Sequence, residues 1–379
     1  MFLRGLKMGS GRYLVWPIGV WLMVLCSVTM ALGAAGCKKN KNNTDDVDEK
    51  ERSAMKTPTG RDGDLASRIE SLDRGTLPFI QQFDAEGLLD YKRKTGITVC
   101  GLVLIALLLE VLKQSFLDIG VKVLDYYTSG HITGDWENTV SYFTIAFFVR
   151  GKDSQDKNHD TEKHEQVKNQ KKTLQESPNG QKIRPMATGP GWFPKTEGPL
   201  KKKLKALFES AKKEAVPGRL VALISPHAGY RYSGRAAAAG YRLLPEKTER
   251  VVVMGVSHRA RLQGISIAPY THYATPLGNL AIDATALRQL SGHRLFHSVQ
   301  RAHRREHSVE VQLPFVQYRA PAATLIPLLV GRLPQGGYSQ AAKALRPLLK
   351  EGTVFIASSD FTHRGPRFGY EPLKKGRER

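Results

Sequence analysis

From Arg184 onward the apolar positions of the chain alternate between two spacings. Leu220–Ile224, Val251–Met254, Thr324–Val330 and Thr353–Ala357 are short aliphatic runs of strand length, rich in β-branched residues. Between such runs, Leu204, Leu207, Phe208 and Ala211 recur at helical spacing within Leu200–Ala215, with lysines on the other face. Gly234–Leu244 predicts an Ala-rich helix, Ala284–Leu290 a short helix, His307–Phe315 a helix start, and Ser339–Leu349 an amphipathic helix. Leu277–Ile282 carries only a weak strand signal. Strands alternating with helices predict an α/β fold, a largely parallel sheet with helices on both faces, over residues 183–379.

Upstream the pattern changes. Arg4, Lys7 and Arg12 precede an apolar run from Tyr13 to Gly36, the layout of an export signal or an uncleaved anchor. The ending Leu32-Gly-Ala-Ala-Gly-Cys37 resembles a bacterial lipoprotein signal, in which Cys37 would be the lipidated residue. The run is also long enough to span a bilayer uncut, and a misplaced gene start is the third alternative. Residues 1–37 are therefore expected to be a signal peptide or membrane anchor, and residues 38–95 a polar tether. Within residues 96–150, the apolar stretch Gly96–Leu109, interrupted by Glu110, reads equally as a buried or interfacial helix or as a second membrane helix. Lys92-Arg93-Lys94 favours a cytoplasmic start for it, which leaves open the side of the membrane faced by the C-terminal domain. Residues 151–182 are almost wholly polar and read as a disordered linker. The expected localisation is membrane-associated, as a bacterial lipoprotein or anchored protein, with the membrane as partner through the N-terminal segment.

Composition alters this picture in two places. The formal charge of +22 is compatible with nucleic acid, anionic lipid or acidic substrates. No stretch interleaves aromatic and basic residues as a base-stacking platform requires, so nucleic acid is disfavoured and a solvated surface is the simpler reading. The three cysteines, Cys26, Cys37 and Cys100, all lie within the first hundred residues. Cysteine metal sites and catalytic thiols are thereby excluded from the rest of the chain, and a disulfide framework is disfavoured.

The chemistry concentrates at strand ends. Ser225-Pro-His227, Gly255-Val-Ser-His258 and Ser358-Ser-Asp360-Phe-Thr-His363 each follow a predicted strand. In a parallel sheet such turns share one edge, so His227, His258, Asp360 and His363 are candidate metal ligands. Imidazoles with a carboxylate suit Fe(II), Zn(II) or Cu(II). Glu306-His307-Ser308-Val309-Glu310 places another histidine and two glutamates at a helix N-terminus. There His307 is a candidate acid/base, or free backbone N–H groups would hold an anion. Tyr230, Tyr232, Ser257, Glu306, Glu310 and Thr362 complete the expected pocket. Any one of these histidines alone would be read as a structural residue; the group is what points to a site.

The segments Ser225–Gly234, Gly255–His258, Glu306–Phe315 and Ser358–His363, in this order, resemble the Memo family, called AmmeMemoRadiSam system protein B in bacteria. Arg184…Gly191-Trp-Phe-Pro194 and Thr275-Pro-Leu-Gly278 are similar to it too. The resemblance covers residues 184–370, with no counterpart expected for residues 1–180. It implies an α/β fold related to class III extradiol dioxygenases, whose site holds Fe(II) with two histidines and a carboxylate. By motif, His227 and His258 would be the histidine ligands and His307 the acid/base. The third ligand, a cysteine in animal members, would fall at Thr362; the alternatives are that Asp360 or His363 takes its place, or that metal binds weakly or not at all. The resemblance also implies sheet and helix elements beyond Tyr370, so the domain is expected to be incomplete at its C-terminus, with a sheet edge bared and the pocket open on one side. The function it implies is a histidine-lined, metal-capable pocket holding iron or copper and redox-active. The alternatives are an extradiol-type dioxygenase, or a non-enzymatic module for an anionic peptide or phosphate. The small-molecule or peptide ligand is left unidentified, and a link to AMMECR-domain and radical SAM proteins rests on the resemblance alone.

Overall fold

The computed structural model describes residues 55–56, 58–151 and 180–371. The expected signal or anchor with Cys37, and most of the expected linker, lie outside the described residues.

Twelve strands are formed among the described residues: β1 Ile119–Thr128, β2 Thr139–Arg150, β3 Ile183–Arg184, β4 Gly218–Ser225, β5 Arg250–Val256, β6 Ile265–Ile267, β7 His272–Thr275, β8 Gly278–Ala281, β9 Phe296–His297, β10 Thr324–Val330, β11 Thr353–Ser358 and β12 His363–Arg364. The main sheet runs β1-β2-β4-β11-β5-β10-β6-β9, with β12 paired to β2, while β3, β7 and β8 form a small second sheet. Its four central strands, β4, β11, β5 and β10, are mutually parallel; β2 and β6 flank them antiparallel. The sheet is therefore parallel at its centre and antiparallel on both flanks. Every residue of β11, and all but the first one or two of β4, β5 and β10, is buried. Because successive side chains point to opposite faces, that unbroken burial means both faces are covered, which is why these strands read as continuous aliphatic runs.

The helix Tyr230–Tyr241 packs on β1, β2 and β4. Its run Ala236–Gly240 has no bulk, and a Cβ at Gly240 would sit 2.8 Å from Thr144 Cγ2, so glycine sets how closely helix and sheet approach. The expected helix His307–Phe315 is two helices, His307–Glu310 and Leu313–Arg319. Pro314, without an N–H, cannot continue a helix but fits the first turn of a new one.

The largest departures lie before residue 151. Residues 60–95, expected within a tether, form the helices Gly60–Arg74, Leu77–Gln81 and Ala85–Thr95, which bury Ile69, Ile80 and Leu88. The apolar stretch beyond them forms Leu102–Lys113, which packs on β5, β11 and the helix Gly337–Leu345. Nine of its twelve residues are buried. It is apolar all round because protein surrounds it, and at about 1.5 Å per residue it is far short of a 30 Å hydrocarbon core. Among the described residues no helix is long and apolar enough to cross a membrane; this corrects the expected second membrane helix at Gly96–Leu109 and, as far as the described residues reach, the expected membrane localisation. The sheet edge beside β4 carries β2 and then β1.

Asp73, near the end of Gly60–Arg74, is fully buried and accepts hydrogen bonds from Tyr126 Oη (2.9 Å), Thr362 Oγ1 (2.7 Å) and Thr362 N (3.2 Å). It ties the N-terminal helices to β1 and to the turn after β11. Burial pushes its carboxyl up to about 6, against the lowering effect of those donors. A folded value above the unfolded 3.8 means that the folded state holds a proton in the window between them. Stability from this group is thus full below the lower value and is lost as pH rises through the upper one. Relative to the parent, Asp73→Asn should gain stability between pH 4 and pH 7, by up to about 3 kcal/mol, in urea unfolding across that range.

Candidate metal centre

Parallel register brings the predicted turns together. Ser225 pairs with Ser358, and Ala357 with Met254, so β4, β11 and β5 end level. The turns that follow carry His227, Asp360 and His258 to one edge. The ring centroids of His227 and His258 are 5.3 Å apart, those of His227 and His307 5.6 Å, and those of His258 and His307 4.4 Å.

His227 is buried. Its backbone N donates to Asp360 Oδ1 (2.7 Å), its Nδ1 lies 3.1 Å from Ser358 Oγ, and its Nε2 lies 3.1 Å from Cys100 Sγ. Burial first, then the neighbouring His258, pushes its imidazole down to about 3, so the ring is neutral. His258 is held by Glu306 at two points, with its N on Oε2 (2.7 Å) and its Nδ1 on Oε1 (2.8 Å). Glu306 is also the N-cap of the following helix, accepting from His307 N and Ser308 N at 2.9 Å each. Burial alone would raise its carboxyl. The hydrogen bond with His258, the imidazoles of His258 and His307 beside it and the Ser308 N–H outweigh that and hold it at about 2. His307 lies between rings, stacked on His258 and 4.4 Å from Trp192, and burial pushes it well below the usual imidazole value.

The third partner of the two histidines comes from the N-terminal part of the chain. Cys100, in the turn before Leu102–Lys113, brings Sγ to His227, and the candidate ligand atoms of Cys100, His227 and His258 all lie within 4.8 Å of one another. Two overlapping groups share that spacing: Cys100, Asp360 and His363, and His258, Glu306 and His307. Gly101 makes the approach possible. Its N donates to Ser359 Oγ (3.1 Å), and a Cβ there would meet Ser359 Cβ at 2.4 Å.

Several expected pocket residues serve the framework instead. Thr362 donates to Asp73 and stands in none of the ligand groups. Glu310 is a fully buried partner of Arg184 and accepts from Ala187 N and Thr188 N, which pins the strap leading to Trp192. Tyr230 is a core residue between Phe193 and Phe315, with its hydroxyl on Val311 O. Tyr232 packs beside Tyr127, whose hydroxyl donates to the Tyr232 carbonyl. Ser257 donates to Ala260 O within its own turn. Sequence reasoning missed Cys100 because it lies in the apolar stretch Gly96–Leu109, which reads only as a buried, interfacial or membrane helix. The available signal was a lone Cys-Gly pair opening an apolar helix. It also left Trp192 without a role beside His307.

A family model described as Memo-like protein matches residues 45–146 and 184–379. The chain belongs to the Memo family. It is 33% identical over 201 residues to "Protein memo-1 homolog" of Caenorhabditis elegans, covering 52% of this chain and 57% of that protein. It is 32% identical over 183 residues to "MEMO1 family protein" of Thermococcus onnurineus (45% and 62%), and 32% over 186 residues to "Protein MEMO1" of Xenopus laevis (47% and 62%). These alignments thus span about six tenths of each relative's length. The Memo match corrects the expectation that residues 1–180 have no counterpart, since its first block, residues 45–146, contains Cys100. Cys100 lies in the first matched block, and His227 and His258 in the second.

His303 is a further buried neutral imidazole, pushed down to about 4 by burial and then by Arg184. For His227 and His303 the folded values lie below the ordinary 6.5. Unfolding therefore takes up protons below that pH, and stability present above it is lost as pH falls towards the folded values. The metal-free protein should begin to lose stability below about pH 6.5, because protonation of Asp73 in the same window opposes the proton uptake of only one of the two imidazoles; urea unfolding between pH 7.5 and 5 checks this.

Proposed function

We propose that this Memo-family chain holds a redox-capable metal, iron or copper, through Cys100, His227 and His258, with His307 beside it as the proton-carrying group. The observation that carries this reading is the orientation of the two rings. Each has its Nδ1 engaged by a protein oxygen, of Ser358 or Glu306, which leaves Nε2 as the nitrogen of each ring that a metal would take. For His227 that nitrogen faces the Cys100 thiol. Histidine ligands in metal sites are oriented in this way by a partner on the other nitrogen. A thiolate with two imidazoles is a donor set that suits copper, zinc or iron. A metal bound there would supply Lewis-acid and one-electron chemistry.

The chain's own residues add the rest. Glu306 fixes His258 and the start of the His307 helix together. His307 is neutral at physiological pH and takes a proton only from a strongly acidified donor. Asp360 and His363 form a second close group with Cys100 and are reserve ligands. An extradiol-type dioxygenase would have a carboxylate as third ligand. Here the thiol is closer to His227 Nε2 than Asp360 Oδ2 is, at 3.1 Å against 3.9 Å.

The test is metal content of the purified full chain after desalting. About one equivalent of iron or copper is expected, falling about tenfold or more in Cys100→Ser, His227→Ala and His258→Ala, and retained in His307→Ala. A parent protein that neither carries nor takes up Fe(II) or Cu(I) would sink the reading and favour a binding module. With metal present, oxygen uptake on adding catechols would select the dioxygenase instead.

A further inference from the structure

Behind His227 lies a buried polar chain, Tyr241–Gln312–Ser358, that does not touch the centre except through the imidazole. Gln312 Nε2 is 2.9 Å from the Pro226 carbonyl and 2.8 Å from Ser358 Oγ, while its Oε1 accepts from Tyr241 Oη at 2.9 Å. A carbonyl only accepts, so the Gln312 amide presents its NH2 to Pro226; of the two remaining acceptors, Ser358 Oγ at 2.8 Å takes the second hydrogen ahead of the Ser225 carbonyl at 3.4 Å. Ser358 Oγ is in turn 2.6 Å from the Ser308 carbonyl. That carbonyl also only accepts, so it takes the one hydroxyl hydrogen. Ser358 is left with one lone pair, and 3.1 Å from its oxygen lies His227 Nδ1. Both Gln312 and Ser358 are fully buried, so water does not rescue a mismatch.

We propose that Gln312 and Ser358 are positioning residues that force His227 into the tautomer with hydrogen on Nδ1, so that Nε2 always presents a lone pair towards Cys100. The donor count closes in only this way. With the hydrogen on Nε2, two lone pairs would face each other across 3.1 Å and a ring N–H would point at the thiol. The consequence for metal affinity rests on the reading of His227 as a ligand; the tautomer itself does not.

The test uses the metal-free full chain labelled with 15N-histidine, with long-range 1H–15N correlation spectra and His227 assigned by its loss in His227→Gln. In the parent, His227 should be protonated on Nδ1 and bare on Nε2. Ser358→Ala should shift the ring towards the Nε2–H form, and Ser358→Thr, which keeps a hydroxyl, should restore the parent pattern. With cobalt(II) as probe metal, affinity should fall about 10–100-fold in Ser358→Ala and recover in Ser358→Thr. An Nε2–H ring in the parent, or a tautomer indifferent to Ser358→Ala, would overturn the proposal. If Ser358→Ala does not fold, the parent spectrum alone decides. A parent with the Nδ1–H ring and the Ser358 dependence but no cobalt binding supports the relay and refutes the metal reading.

Discussion

The centre depends on one constraint, the level finish of three parallel strands. With Ser225 opposite Ser358 and β5 in register beside them, the next few residues of each strand have nowhere to go but a shared edge. A shift of β11 by one residue would turn every one of its side chains to the other face, removing Ser358 from His227 and Asp360 from the His227 amide. The unbroken burial of β4, β5, β10 and β11 holds that register, because a slip would also expose or misplace their aliphatic side chains on both faces.

Around this edge the buried polar groups act as fasteners. An ionised or hydrogen-bonding group withdrawn from water is costly unless its partners are in place, so each such group fixes the geometry of what it touches. Glu306 joins the turn after β5 to the helix of His307. Arg184 and Glu310 hold the strap that brings Trp192 over His307, with Arg184 also reaching the carbonyls of His303 and Glu306. Asp73 locks the turn after β11 to helices from the other end of the chain. Three of the residues expected to line a pocket, Glu310, Tyr230 and Thr362, belong to this scaffolding.

The N-terminal block gains its meaning from the same edge. Its strands β1 and β2 extend the sheet beyond β4, and its helix Leu102–Lys113 packs on β5 and β11. The turn ahead of that helix sets Cys100 against His227. A mostly apolar helix reads the same in composition whether lipid or protein surrounds it; here its twelve residues and its packing neighbours decide.

The sequence by itself determined the local periods. The aliphatic runs at Leu220, Val251, Thr324 and Thr353 became β4, β5, β10 and β11, because continuous apolar runs of that length suit strands buried on both faces. The same runs placed His227, His258, Asp360 and His363 after strand ends. What the tertiary structure alone decided was partnership across distance: Cys100 with His227, 127 residues apart, and Asp73 with Thr362, 289 apart. Neither pairing has a local signature, since a cysteine or an aspartate reads the same in sequence whether it faces water or a distant partner. Burial and sheet register, set by the whole chain, make the difference.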